Sequence, residues 1–269
     1  MVPACHEIYA VRYATVNRQR RENFMVADEH EGPMPMDYYV WVIRRESKVW
    51  LVDTGFDEVS ATQRKRTLLR CPISSLEPLG IMPQHIRDVL ITHLHYDHAG
   101  NLGKLPLARV HIQESEMQFA TGCCMRHDAL RHAYTVDHIV QMVRNVYEKR
   151  VEFYNGDSDL NDGIELIHVG GHTAGLQAVR VFTERGWVVL ASDASHFYAN
   201  AFERSPFPIV HHVGDMLDGY LKLMKLCESP DHFIPGHDPL VLERFPRYGD
   251  PADEIVSLHR PPLTPIAVA

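Results

Sequence analysis

The stretch that decides the fold is Thr92-His93-Leu94-His95-Tyr96-Asp97-His98-Ala99-Gly100, which follows directly on Val89-Leu90-Ile91. A short apolar, β-branched run reads as a strand buried on both faces, so the polar residues begin where a strand ends. On extended backbone His93 and His95, two apart, project to the same side. Asp97 and His98 come next, on the turn into a short helix. Such a concentration of nitrogen and oxygen donors at a strand end is costly to bury without something to bind. Neutral imidazole together with carboxylate is the ligand chemistry of first-row metals.

Working outward, the same device recurs. The run 164–169 ends in Gly170-Gly171-His172-Thr173-Ala174-Gly175, where glycines let the backbone turn tightly. The run 187–191 ends in Ser192-Asp193-Ala194-Ser195, and 232–234 ends in Pro235-Gly236-His237-Asp238. Each short strand thus presents one further potential ligand, and ligands gathered from the same ends of several strands are how α/β folds build active sites. The pooled set is His93, His95, Asp97, His98, His172, Asp193 and His237. It exceeds the needs of one tetrahedral ion and divides well between two, with one carboxylate bridging ions about 3.5–4 Å apart. No cysteine joins it, which points to a hydrolytic site with open positions rather than a closed structural zinc. An N/O set accepts zinc, iron, manganese or cobalt; two divalent ions are expected, zinc first.

The rest of the chain supports a layered architecture. Strands are expected at 7–13, 38–44, 49–52, 88–92, 109–112, 151–154, 164–169, 176–182, 187–191 and 232–234, and helices at 57–69, 115–120, 136–147 and 214–227. The last helix is the clearest, with Leu217, Leu221 and Met224 in one apolar stripe. Interleaved strands and helices, with no repeat or linker dividing them, indicate one domain over 1–269. Residues 17–36 form a long loop, a candidate lid, and 260–269 a surface tail. Phe24, Met25 and Met34 on that loop are candidates for an apolar cover over an acyl chain, or for packing against a second subunit, which would make the protein a homodimer.

Composition bounds the partners. The 269 residues carry a net charge of −8, which argues against nucleic acid. The longest apolar run, Tyr38 to Ile43, is far too short to span a membrane. The start lacks a signal-peptide pattern and the five cysteines form no framework, so a cytoplasmic enzyme with a small-molecule substrate is expected. Two basic clusters, Arg18-Gln19-Arg20-Arg21 and Arg64-Lys65-Arg66, read as solvated faces. His111, His168 and His232 fall within strands and read as core or cross-strand partners. His211 and His212 are candidates to line the pocket or to cap the helix that follows.

At His93–His98 the sequence resembles the metallo-β-lactamase superfamily, through H-x-H-x-D-H, the G-H-T-x-G turn at Gly171–Gly175, Asp193 and His237 in the expected order, and an early Asp53-Thr54-Gly55 turn. The resemblance covers about residues 38–240. It implies an α+β fold, the four-layer αβ/βα sandwich with two mixed sheets flanked by helices. It puts His93, His95 and His172 on one metal and Asp97, His98 and His237 on the second, with Asp193 bridging and Asp53 orienting the metal loop. Within the superfamily the chain is most similar to the N-acyl-homoserine lactone lactonases, which implies opening of a lactone by a metal-bridging hydroxide, with Asp97 relaying a proton. Those lactonases place a tyrosine three residues after the bridging aspartate; here that position is His196 and the nearest tyrosine is Tyr198, so both are candidates to steady the oxyanion. Residues 122–147 match no pocket of that group. The rivals are hydrolysis of a thioester, another ester or a cyclic amide, and less closely a di-iron oxidoreductase or a non-catalytic metal protein.

Overall fold

The computed structural model describes residues 3–26, 30–160 and 163–266. Its strands are β1 (Glu7–Val16), β2 (Met36–Arg45), β3 (Lys48–Val52), β4 (Thr67–Leu68), β5 (Asp88–Leu90), β6 (Arg109–Gln113), β7 (Val151–Tyr154), β8 (Ser158–Asp159), β9 (Ile164–His168), β10 (Gln177–Thr183), β11 (Gly186–Ser192), β12 (Phe233–Pro235) and β13 (Ile255–Ser257). One sheet runs β13-β1-β2-β3-β5-β6-β7, with β4 paired to β1; the other runs β12-β11-β10-β9-β8. Both are mixed. In the first, the pairs from β13 to β3 are antiparallel and those from β3 to β7 parallel. In the second only β11–β12 is parallel.

Helices flank them: α1 (Glu58–Arg64), α2 (Tyr96–Ala99), α3 (Glu114–Thr121), α4 (Asp128–Arg131), α5 (Val136–Tyr147), α6 (Tyr198–Phe202), α7 (Val213–Lys225) and α8 (Leu240–Arg244). The period of two along β1 and β2 sorts side chains between two cores. Ile8, Ala10, Tyr39, Trp41 and Ile43 face the second sheet, and that core continues to Met216, Tyr220 and Leu223 of α7. Tyr9, Val11, Tyr13, Tyr38, Val40 and Val42 face the other way, onto Ala61 of α1, Ala99 of α2 and Met142 of α5. This is the four-layer α+β sandwich expected from the resemblance.

Most expected elements are present, with their ends displaced by a residue or two. The helix expected over 57–69 is shorter. Asp57 caps α1 by accepting from the Ser60 N–H at 2.8 Å, but the helix stops at Arg64 because Lys65 turns left-handed (φ 55°), and Thr67–Leu68 then pair with β1. His232 closes a 3-10 turn rather than entering β12. The loop 17–36 is ordered where described: Arg20 N–H bonds Gly32 O, Met34 N–H bonds Arg18 O, and Met25 N–H bonds Pro206 O. Phe24 is buried, whereas Met25 is exposed; positions 27–29 of the expected lid lie outside the described residues. The expected tail is tied down as far as it is described, since Leu263 N–H bonds Arg244 O and Ile266 N–H bonds Asp231; 267–269 lie outside. No helix among the described residues is long and apolar enough to cross a membrane.

Candidate metal centre

Five strands end where the cluster residues begin. Asp53 follows β3, the 93–98 segment follows β5, His172 follows β9, Asp193 follows β11 and His237 follows β12. Two of these exits use left-handed backbone at non-glycine residues, Asp53 (φ 61°) and Ser192 (φ 47°), a strained conformation that places the following groups. Below the site runs a chain of hydrogen bonds. Ser192 OH donates to Thr92 Oγ1 (2.9 Å), and Thr92 donates through both its N–H and its hydroxyl to Asp53 (2.8 Å each). Asp53 Oδ2 in turn holds His98 Nδ1 at 2.7 Å. It therefore sits beneath His98, one of the candidate ligands.

The seven pooled residues come together and all are buried. His93, His95, His172 and Asp193 offer ligand atoms within 4.8 Å of one another, as do Asp97, His98 and His237. Asp193 faces both groups. Its Oδ2 lies 3.2 Å from His172 Nε2 and 3.7 Å from His93 Nε2, and its Oδ1 lies 3.2 Å from His98 Nε2 and 2.9 Å from His237 Nε2. His196 is drawn in as well, with Nε2 3.1 Å from Asp193 Oδ2, and Asp193, His196 and His237 form a third overlapping group. Tyr198 is not brought to this cluster. It belongs to the core between the sheets, with its ring stacked on Phe202 and lying under Arg244, and its N–H donates to Asp238.

Tautomers test whether these residues suit a metal. His172 Nδ1 faces Ile209 O (2.7 Å) and His237 Nδ1 faces Asp37 O (2.8 Å). A carbonyl only accepts, so both Nδ1 atoms carry the proton and both Nε2 atoms present lone pairs. Yet His237 Nε2 meets a carboxylate oxygen at 2.9 Å, and His172 Nε2 meets His95 Nδ1 at 2.9 Å. His93 Nε2 and His98 Nε2 are buried with no hydrogen-bond partner. Converging lone pairs and orphaned buried nitrogens are what a cation resolves, so the donor set fits two divalent ions. Electrostatics divide the set: burial alone would lower His98 and His237, but Asp193, aided by Asp97 at both and by Asp53 at His98, outweighs it and raises them. Burial, then the neighbouring imidazoles, holds His93 and His95 well below the usual histidine value, leaving them neutral as ligands must be. Burial alone would raise Asp193, but His196, His98, His237 and His172 outweigh it and hold the carboxyl well below its usual value.

Sequence reasoning missed Glu116. This fully buried carboxylate accepts from Leu94 N–H (2.9 Å) and Tyr134 OH (3.0 Å) on one oxygen, and from Thr173 OH (2.5 Å) and Gly175 N–H (3.2 Å) on the other. It ties together the two loops that carry the candidate ligands His93, His95 and His172. A Cβ at Gly175 would lie 2.1 Å from Glu116 N, so only glycine allows the approach. The available signal was spacing: Glu116 shares a helix face with Phe119 and Ala120, three and four residues on. Tyr134, within the unmatched stretch 122–147, packs its ring edge-on to His95 at 4.6 Å. Phe207 stacks on His196 at 3.7 Å, nearly parallel.

Of the three histidines expected as core or cross-strand partners, His111 is one, whereas His168 is half-buried at the end of β9 and His232 lies in a 3-10 turn. His111 bridges Asp88 and Tyr154 across strands, and His168 and His232 bond backbone carbonyls. His212 caps α7, accepting from Asp215 N–H, while His211 packs on Phe119.

Comparisons with known proteins follow this geometry. Residues 34–237 match the metallo-beta-lactamase superfamily profile. An N-acyl homoserine lactonase of Bacillus sp. is 28% identical over 191 residues, covering 64% of this chain and 70% of its own. A probable metallo-hydrolase of Mycobacterium tuberculosis is 23% identical over 248 residues, covering 85% and 76%. The crystal structure of a quorum-quenching N-acyl homoserine lactone lactonase superposes with a TM-score of 0.72 at 21% identity, covering 89% of this chain and 94% of that one. With the profile spanning most of the chain and every signature residue at the buried cluster, this protein belongs to the metallo-β-lactamase superfamily.

Proposed function

We propose that the protein opens lactones of the N-acyl-homoserine lactone type. The observation that carries this reading is Asp193, which offers one oxygen to each of two imidazole groups and so suits a dinuclear hydrolytic centre. The kinship with lactonases directs the choice of substrate. Two divalent ions held by His93, His95 and His172 and by Asp97, His98 and His237 would lower the pKa of water and polarise the substrate carbonyl.

The protein's own groups supply the rest. The oxygen of water forms the new bond to the carbonyl carbon, the ring C–O bond breaks, and the leaving alkoxide takes a proton. In this reading Asp97 carries that proton, a role supported by its position at the edge of the cluster, with Oδ2 3.8 Å from His98 Nε2 and 3.9 Å from His237 Nε2. Burial drives the His196 pKa down to about 3, so its ring stays neutral, and its Nδ1 has no partner among the described residues. Its Nε2 faces Asp193 Oδ2 at 3.1 Å, so the neutral ring carries its proton there and donates to that carboxylate, steadying it at the edge of the cluster. Tyr198 takes no part in this reading, because its contacts lie in the core.

The test is acid release at constant pH from a panel of acyl-homoserine and simple lactones, using metal-quantified protein before and after chelation. Rapid, chelator-sensitive opening supports the reading. No opening by protein holding two metals overturns it and moves the activity to thioesters, other esters or cyclic amides. His196→Ala is expected to spare metal content and lower turnover.

A further inference from the structure

Helix α5 (Val136–Tyr147) presents one face to the fold and leaves another bare. His138, Met142 and Asn145 lie on the buried face, with Met142 in the core. Val136, Val140, Val143 and Tyr147 keep 76%, 40%, 37% and 86% of their surface exposed. Successive steps of four, three and four residues hold these side chains in one row, the spacing of a seam between two helices. Single apolar residues on a surface are ordinary, but a row running the length of a 12-residue helix marks an interaction site. Along the row lies a groove of about 610 Å3, lined by Ala120, Met125 and Tyr134 as well as by Val136, Val140 and Val143. The Tyr134 ring in turn packs on His95, so the groove backs onto the metal centre.

The flanking charges select the occupant. Asp137 stands in the first turn of α5 and Arg144 in the last. Both are exposed, and neither forms an ion pair or a side-chain hydrogen bond among the described residues. Seven residues apart, close to two full turns, they lie on the same flank of the row. A twofold axis perpendicular to the helices lays a second α5 antiparallel across the first, with Val140 facing Val143 of the other copy and Val136 facing Tyr147. That operation keeps equal flanks on the same side. Asp137 of each copy then meets Arg144 of the other, so the face is complementary to itself in charge as well as in apolar surface. Tyr147, the most exposed of the row, reaches the other copy's groove beside Val136, and a buried aromatic ring is a common interface anchor.

We propose that a second copy of the chain covers this face, and that the protein is a homodimer joined through antiparallel α5 helices, with Tyr147 of each copy seated in the groove of the other. None of the seam residues belongs to the metal cluster, so the joint holds whatever the substrate. Interfaces built around one helix pair fall at the small end of the specific range, about 1,200 Å2 in total, and a dissociation constant in the micromolar range is expected.

Sedimentation velocity on the full, metal-loaded chain from about 1 to 100 μM tests this, with dimer expected to replace monomer across that range. Asp137→Arg alone sets like charges against each other at both ends of the seam, and so does Arg144→Asp alone. Each should weaken dimerisation by about 10-fold or more. An equimolar mixture of the two variants should restore it, because opposite charges then face each other at both positions of a mixed dimer. Tyr147→Ser should also weaken it by about 10-fold or more. All three positions are exposed, and circular dichroism checks that the variants stay folded. A chain that remains monomeric, a dimer indifferent to the three substitutions, or a mixture no more associated than either variant alone overturns the proposal. A monomer that binds decanoate in calorimetry, and loses that binding in Val140→Lys, also overturns it and gives the groove to an acyl chain instead.

Discussion

Glu116→Gln exchanges one carboxylate oxygen for an amide nitrogen at nearly constant shape. In the native protein each oxygen receives one backbone N–H and one hydroxyl: Leu94 N–H with Tyr134 OH, and Thr173 OH with Gly175 N–H. A hydroxyl can rotate to donate elsewhere or to accept, but a backbone N–H cannot. Whichever way the glutamine turns, its NH2 faces a backbone N–H inside a fully buried site. The cost is one stranded donor, about 1–3 kcal/mol, plus the weakening of the remaining bonds as the charge is lost. We expect about 2–4 kcal/mol in all. With an unfolding entropy of about 0.5–0.6 kcal/mol/K for a chain this long, Tm should fall by about 4–7 °C. The loss has a functional face, because Leu94 sits between His93 and His95 and Thr173 follows His172. Metal affinity should fall by about 10–100-fold. Thermal unfolding of metal-free protein and competition with a chromophoric chelator measure the two effects. A Tm shift under about 2 °C with unchanged metal affinity would refute the idea that Glu116 clamps the two loops.

Three further outcomes are expected. Chelation should lower Tm by about 15 °C, about 7 °C for each of two ions present at about 1,000 times its dissociation constant, and the metal that best restores both Tm and activity is the resident one; a Tm unmoved by chelation contradicts a bound centre. Asp88→Asn should cost under about 1 kcal/mol, since the pair with His111 is only half-buried. The His111 hydrogen bond holds the Asp88 pKa below its usual value, so this contribution is complete above about pH 4, the unfolded value, and lost as pH falls through the lowered folded value; a difference between the two proteins that grows on acidification contradicts the pairing. Tyr198→Phe should change turnover less than about two-fold, its hydroxyl being buried beside Arg244 and away from the cluster; a tenfold loss at unchanged stability would return it to the reaction.

The primary structure by itself determined the chemistry of the centre. His93, His95, Asp97 and His98 are close in the chain, so strand geometry alone brings them together, and the strand-ending turns at His172, Asp193 and His237 announce themselves through glycine, proline and serine. The strands were legible for the same local reason, the apolar runs that end at each ligand. Only the tertiary structure decided what local spacing cannot encode. Glu116 looks like an acidic first-turn residue until the 173–175 turn descends on it from β9. His196 and Tyr198 read as equals in sequence, yet the turn at Ser192 and the start of α6 send one ring to Asp193 and the other into the core. Arg18 and Arg66 belong to clusters that look solvated because charge runs usually are. The fold half-buries both, setting Arg18 over the Phe207 ring and Arg66 against Tyr96. Local periodicity reports which way one element faces; which charges end up half-buried is set by how distant loops pack, and that energy resides in contacts between residues far apart in the chain.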